Sequence, residues 1–143
     1  MLVEGLVTYL AADTGVKAQL GTPSTRVDKT NGIFPVLAPD GAAIPYLVLS
    51  QVSGEASQTF EGAVTPTARW RFSACGSTYR AAKLLAEALK AAMLPCLGAM
   101  PTGNVYVQNA ALLMEADDSE AIGSHGTLWC THVDFEIMFA AAA

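Results

Sequence analysis

Residue types suited to metal binding or acid–base chemistry lie near the C-terminal end of the chain. His132, Asp134 and Glu136 alternate with apolar residues and so share one face of a predicted strand, while His125 and Asp117 precede them on a predicted loop. Imidazole and carboxylate groups are common ligands of divalent metals. Same-face neighbours on one strand lie about 6–7 Å apart, so they rarely reach one ion without a second strand. We therefore favour a solvated polar sheet face with no metal.

Other catalytic chemistry has little support in the sequence. The three cysteines, Cys75, Cys96 and Cys130, show no CxxC spacing, which favours buried or inert thiols and a reduced, intracellular place of synthesis. The chain has no GxSxG nucleophile motif, and neither GxGxxG nor a P-loop motif for phosphates. The sequence thus predicts no enzyme and no cofactor. A small enzyme or metal-binding domain that uses His132 and Asp134 remains the alternative.

The composition is typical of one domain with few charges. The chain has 143 residues, of which 52% are hydrophobic and 15% charged, and its formal net charge is -5. An acidic chain of this length predicts a single domain without a basic nucleic-acid-binding surface. The low charge leaves two interpretations open: partner subunits cover part of the surface, or the chain is simply rich in alanine. No uninterrupted apolar segment is long enough to span a membrane, so no membrane partner is expected.

Residues 67–93 contain the clearest change of pattern. Trp70 and Phe72 alternate with polar residues as in a strand, and after Gly76 the apolar residues recur at helical spacing. Helical spacing also occurs at residues 2–12, with one more turn at 16–20. Further strands are predicted at residues 46–53, 105–115 and 128–139, with a possible edge strand at 33–37 and polar loops at 54–66 and 117–126. The predicted fold class is α+β, an antiparallel β-sheet of about four strands with two α-helices packed on one face.

Charged residues are distributed unevenly along the chain. Five of the eight basic residues lie between positions 69 and 90, no Lys or Arg follows Lys90, and the later acids include Asp134 and Glu136. One interpretation is cross-strand pairing within a sheet, for example Arg69 or Arg71 with Asp134 or Glu136. The other is a pair of complementary surfaces on one subunit, which would join copies of the chain head to tail. Charge alone favours the first.

Four segments follow one another in an order that is typical of a known family. They are LVTYLAADTGVKAQLG, IPYLVLSQVSGE, WRFSACGSTYRAAKLLAEALKAAM and THVDFEIMF. In order and spacing, over nearly the whole chain, they resemble the small tail-completion, or tail-terminator, proteins of long-tailed bacteriophages. The chain departs from that family in a longer segment at residues 21–43, which leaves the role of its first loop open.

This resemblance implies a structural protein that is not an enzyme and uses no cofactor. It implies a homo-hexameric ring that caps the completed tail tube and then docks to the head connector or stopper protein, with DNA passing through the ring. The implied partners are copies of the chain itself, the tail tube protein and the head connector. The implied location is the tail–neck junction of a virion that is assembled in the host cytoplasm. Another head–tail joining or neck protein is the alternative.

Two sets of candidate residues follow. Polar loops of the family contact the tube or neighbouring subunits, which by position points to residues 54–66 and 117–126. The candidates there, for tube or lumen contacts, are Glu55, Glu61, Asp117, Asp118 and Glu120. If charged surfaces join the subunits, the interface residues are Arg69, Arg71, Arg80, Lys83, Asp134 and Glu136.

Overall fold

The protein folds around one sheet with helices on one side of it. The computed structural model describes residues 2–20, 32–38, 42–58, 64–95, 98–101, 105–121 and 126–141; for residues 55–58, 64–66 and 141 it describes the backbone alone. The elements of these ranges are α1 (Leu2–Ala12), α2 (Thr14–Leu20), β1 (Ile33–Pro35), β2 (Tyr46–Gln58), β3 (Val64–Gly76), α3 (Tyr79–Met93), β4 (Gly98–Ala99), β5 (Val105–Ala121) and β6 (Thr127–Ala141). The strands lie in the order β1-β2-β3-β6-β5-β4.

The predicted fold class is wrong in its number of strands, its strand directions and its number of helices. In the described ranges, six strands form a mixed sheet that curves into a half-barrel, and three short helices accompany it. The sheet is mixed because β1, the possible edge strand, runs parallel to β2, whereas the other neighbouring pairs are antiparallel. The extra helical turn after α1 is the separate helix α2.

The four long strands also extend further than predicted. β2 and β3 hold 13 residues each, β5 holds 17 and β6 holds 15. The β2–β3 ladder continues to the pair Gln58 and Val64, so most of the predicted loop at residues 54–66 is a two-stranded extension. β5 continues to Ala121 through a run of acidic residues. Polar and acidic side chains at these strand ends remove the alternation of apolar residues that identifies a strand in sequence.

The core lies between the helices and one face of the sheet. α3 packs on β3 and β6, α2 packs on α3, and α1 lies beside α2 and β1. The largest fully buried side chains come from all of these layers: Leu6, Leu10, Val16, Leu47, Leu49, Phe72, Leu85, Leu89, Met93, Val107, Phe135 and Ile137. The rings of Phe72 and Phe135 meet edge to face, with centroids 5.7 Å apart. Phe72 and Phe135 therefore point from neighbouring strands into the core.

The junction between β3 and α3 is short and tightly packed. α3 begins after Thr78, whose side-chain oxygen accepts a hydrogen bond from the Ala81 backbone N–H. Gly76 ends β3, and a Cβ atom at that position would lie 3.0 Å from the Ala81 Cβ and 3.1 Å from the Ala82 backbone nitrogen. Only glycine fits this approach without a shift of α3.

Candidate functional site

The face of the sheet that carries no helix holds a buried carboxylate between two arginines. Arg71 lies directly opposite Asp134 in the β3–β6 ladder, and Arg69 reaches the same carboxylate from the next polar position. Asp134 Oδ2 accepts from Arg69 Nη2 at 2.7 Å and from Arg69 Nε at 3.0 Å; Asp134 Oδ1 accepts from Arg71 Nε at 2.9 Å. The Asp134 side chain is fully buried, whereas 36% of each arginine side chain is exposed. We call these three residues the arginine–aspartate triad.

The triad has a defined charge state. Burial by itself would raise the pKa of the Asp134 carboxyl, but the hydrogen bonds and charges of Arg71 and Arg69 outweigh burial and hold that pKa below its ordinary value. The hydrogen bond from Arg71 to Asp134 in turn raises the pKa of the guanidinium. The carboxylate is therefore ionised at neutral pH, with both of its oxygens satisfied inside one chain. This is the cross-strand pairing that the charge pattern favoured.

A second charged cluster lies on the opposite face, between α3 and β5. Lys83 Nζ lies 2.8 Å from Asp117 Oδ1 and 3.4 Å from Glu115 Oε1. Lys90 Nζ lies 3.2 Å from Glu115 Oε2 and 2.8 Å from Glu87 Oε1. These side chains remain between 17% and 64% exposed. We call this set the lysine–acid cluster, and it anchors the C-terminal half of β5 to α3.

Asp117 has further partners within the lysine–acid cluster. Its carboxylate accepts hydrogen bonds from the Tyr79 hydroxyl and the Thr131 hydroxyl, each at 3.0 Å. The hydrogen bond from Lys83 is the main reason why the pKa of Asp117 is lowered, and the same bond raises the pKa of Lys83. Asp117 is thus held by its own chain and lies on a strand, not on the predicted loop.

Three of the five acidic residues predicted for the lumen or the tube lie on β5 and are divided between its two faces. Asp117 points to α3, while Asp118 and Glu120 line a cavity of about 220 Å³ on the face without helices. His132 also lines this cavity, and its Nε2 lies 3.8 Å from Asp118 Oδ2. Glu120 and burial raise the pKa of Tyr46 on β2, with burial the larger cause. The acidic residues therefore do not form one surface.

The cysteine and histidine predictions have different outcomes. Cys75 and Cys130, predicted as inert thiols, are directly opposite each other on β3 and β6 and form a disulfide. His132 Nδ1 lies 2.7 Å from Ser73 Oγ across the same ladder. No group of three or more His, Cys, Asp or Glu side chains in the described ranges is arranged to hold a metal ion. His132, Asp134 and Glu136 point away from the core, as predicted, but the predicted solvated face is wrong at Asp134, which is fully buried under two arginines.

The other predicted residues fall into three groups. Arg80 and Glu136 are exposed, and neither makes an ion pair with another described residue. Glu55 lies on β2, but its side chain is outside the description. Glu61 and most of the long segment at 21–43 lie outside the described residues.

A group of exposed apolar residues on β5 was not predicted from the sequence. Leu112, Leu113 and Met114 are 44%, 46% and 38% exposed, and the ladder to β6 has a bulge between Leu112 and Met114. The sequence carries one sign of this bulge, which is the imperfect alternation of apolar and polar residues along residues 105–115. A bulge shifts that alternation by one residue.

Comparison with known proteins gives a structural likeness. No protein-family model and no curated protein matches the chain. Among solved structures, it is similar to a chain described as "Virion of native gene transfer agent (GTA) particle", with a TM-score of 0.62. The two chains are 13% identical, and the likeness covers 94% of this chain and 91% of that chain. It shows a shared fold over almost the whole length of both.

Membrane crossing by a helix has no support in the structure. No helix in the described part of the chain has both the length and the apolar run that a membrane span needs.

Proposed function

We propose that this chain is a structural virion protein that forms a ring on the completed tail tube and joins the tail to the head. One observation carries the proposal: the fold matches a chain of a gene transfer agent virion over 94% of this chain and 91% of that one. The order of the four sequence segments supports the narrower role at the end of the tail. The protein acts by binding other proteins, without catalysis and without a cofactor.

The charged groups support an architectural role. The arginine–aspartate triad and the lysine–acid cluster each satisfy their charges within one chain, at distances between 2.7 and 3.4 Å. Such networks hold neighbouring strands and a helix in one arrangement. A ring component needs this rigidity, because each copy must present the same surfaces to its neighbours, the tube and the head.

The partners in the proposal are further copies of the chain, the tail tube protein and the head connector or stopper. DNA passes through the ring without sequence-specific contacts. Of the predicted interface residues, Arg80 and Glu136 are exposed and make no ion pair with another described residue, so both can meet a neighbouring copy. The other predicted interface residues would first have to break the ion pairs they make within their own chain; they are Arg69, Arg71, Lys83 and Asp134.

Electron microscopy of particles made without the protein tests this function. We expect tail tubes of irregular and excessive length that do not join heads, and normal particles when the wild-type gene is supplied in trans. Tails of normal length that fail to join heads would overturn the capping role in favour of another neck protein. Complete, normal particles would overturn both.

The position of the protein in the particle provides a second measurement. A gold label on a C-terminal tag is expected at the junction of head and tail. Label along the tail tube or over the head would contradict the proposed location.

A further inference from the structure

The outer edge of β2 is covered over only part of its length. The Leu47 N–H donates to the Gly32 carbonyl oxygen at 2.8 Å, and the Val36 N–H donates to the Leu49 carbonyl oxygen at 2.7 Å. Directly after this bond, Val36 has a φ of 66° and the Leu37 N–H donates to the Pro35 carbonyl oxygen, which forms a tight turn. The chain thus leaves the edge, and no described strand pairs with the outer side of β2 from residue 50 onward.

The outer edge of β5 is open in the same way. The Met100 N–H donates to the Val105 carbonyl oxygen at 2.8 Å, and β4 pairs with Tyr106 and Val107. Beyond this short cover, residues 110–121 of β5 have no described strand on their outer side. Residues 110–114 carry neither charge nor proline, the usual protection of an exposed edge.

The two open edges carry matching irregularities. The β2–β3 ladder shifts between Gln51 and Ser53, which makes Val52 the extra residue of a bulge. The β5–β6 ladder shifts between Leu112 and Met114, which makes Leu113 the extra residue there. Val52 and Leu113 are each 46% exposed. Each edge therefore presents an apolar side chain where its backbone is unpaired.

The two bulges adjoin the same row of the sheet. Gln51 pairs with Trp70, Trp70 with Phe135, and Phe135 with Leu112. Val52 follows this row on one side and Leu113 on the other, so Val52 of one copy meets Leu113 of another after a shift of about one residue along the strands. A head-to-tail contact closes into a ring when the rotation between copies closes, and otherwise it produces a helical filament. Three antiparallel pairings separate β2 from β5, so similarly oriented copies would join these edges as an antiparallel pair.

Charge distinguishes this contact from the pairing of like edges. Two β5 edges brought together would place Glu115, Asp117, Asp118 and Glu120 of one copy near the same four acids of the other, which is unfavourable. The described side chains of β2, residues 46–54, include no charged group. β2 is therefore the more compatible partner for β5.

We infer that a second copy of this chain is the partner of both edges: residues 110–114 of β5 add to residues 50–54 of β2 in the next copy. The inference rests on the proposed ring and specifies how its copies are joined. Backbone hydrogen bonds supply the contact, and Val52 and Leu113 pack together beside it. The charged triad and cluster stay within each copy.

Lysine substitutions on the full-length protein test the inference. Leu113→Lys places a charge on the β5 edge and Val52→Lys places one on the β2 edge. Leu84→Lys is the matched control, because Leu84 is 40% exposed but lies on α3. By sedimentation velocity we expect the wild type and Leu84→Lys to assemble and each edge variant to remain a monomer. Circular dichroism checks the fold, and Leu113→Gln replaces Leu113→Lys if the lysine variant does not fold.

A mixture of the two edge variants gives the sharper test. Leu113→Lys keeps an intact β2 edge and Val52→Lys keeps an intact β5 edge, so together they can form one joint and no more. We expect a two-copy complex in the mixture only. A dimer of Val52→Lys alone would indicate pairing of like β5 edges and overturn the inference. Edge variants that assemble like the wild type, or a wild type that stays monomeric at its highest soluble concentration, would also overturn it.

Failure of this inference and failure of the proposed function give different results. If Leu113→Lys supplied in trans restores normal tails to particles lacking the protein, the joint is wrong while the function stands. If particles lacking the protein are normal but the edge variants still lose assembly in solution, the function is wrong while the joint stands.

Discussion

The arginine–aspartate triad and the lysine–acid cluster use similar charges in different surroundings. In the triad, Asp134 is fully buried under two arginines, so its ionised form depends on them. In the cluster, Asp117 is 43% exposed, so water replaces much of what Lys83 provides. We therefore expect burial of the acid, more than the number of ion pairs, to decide how much each group stabilises the fold.

Removing the buried carboxylate should destabilise the protein more than any change in the lysine–acid cluster. Asp134→Asn leaves Arg69 and Arg71 without an anion in a site that excludes water from its centre. We expect a loss of about 3 kcal/mol in the free energy of unfolding, the lower end for a broken buried pair, since the arginines are partly exposed. Urea denaturation measures this loss. Glu136→Gln, on the same strand and exposed, is the control and should change stability by less than about 0.5 kcal/mol.

The stability contributed by Asp134 should depend on pH. The pKa of Asp134 is lowered in the folded protein, so the unfolded state binds the proton more readily. The stability from this group is present above the unfolded pKa of about 4 and is lost as the pH falls through the lower, folded pKa. Asp134→Asn should therefore flatten the acid side of the stability profile.

The corresponding change at Asp117 is expected to be smaller. Its pKa is also lowered, chiefly by Lys83, but the group is largely exposed. Asp117→Asn should therefore flatten the acid side less than Asp134→Asn does. An equal or larger effect at Asp117 would show that burial does not separate the two regions.

Breaking the exposed cluster should cost less. Lys83→Met removes the ion pairs to Glu115 and Asp117 but keeps most of the aliphatic side chain. We expect a loss of about 0.5–1 kcal/mol that shrinks at about 1 M salt, since exposed ion pairs are screened. Thermal unfolding at low and high salt provides the measurement. A loss as large as that of Asp134→Asn, and unaffected by salt, would contradict the distinction.

The smallest effect on stability is expected at Arg80. Arg80 is exposed on α3 and has no ion pair among the described residues, so Arg80→Glu should leave the unfolding free energy within about 0.5 kcal/mol of the wild type. If a charged contact between copies assists the ring, the same variant should weaken assembly at low salt. Sedimentation at two salt concentrations tests this point. Unchanged assembly would remove Arg80 from the interface.

The sequence predicted the middle of the fold better than its margins. Trp70, Phe72 and Phe135 alternate with polar residues where the sheet is covered by α3, so their strands and inward faces were predictable. At the strand ends, no buried face forces apolar and polar residues to alternate. There β5 carries acids on its helix face, paired with Lys83 and Lys90. In the sequence alone, such acids are typical of a loop. They fit on a strand here because α3 supplies the lysines that pair with them.

The candidate site was predictable only in part for the same reason. Alternation placed Arg69, Arg71 and Asp134 on one face, and their pairing followed from opposite charge. It could not show that Asp134 is fully buried, because that depends on how the sheet curves. The open edges needed the strand order, which sequence periodicity does not contain.

The missing side chain at Gly76 has a mechanical consequence. With the Ala82 backbone nitrogen only 3.1 Å from where a Cβ would be, no side chain fits between the end of β3 and the first turn of α3. A larger residue at position 76 would therefore push that turn away from the strand. The spacing between the sheet and its helical layer is thus set by a residue that itself adds nothing to the core.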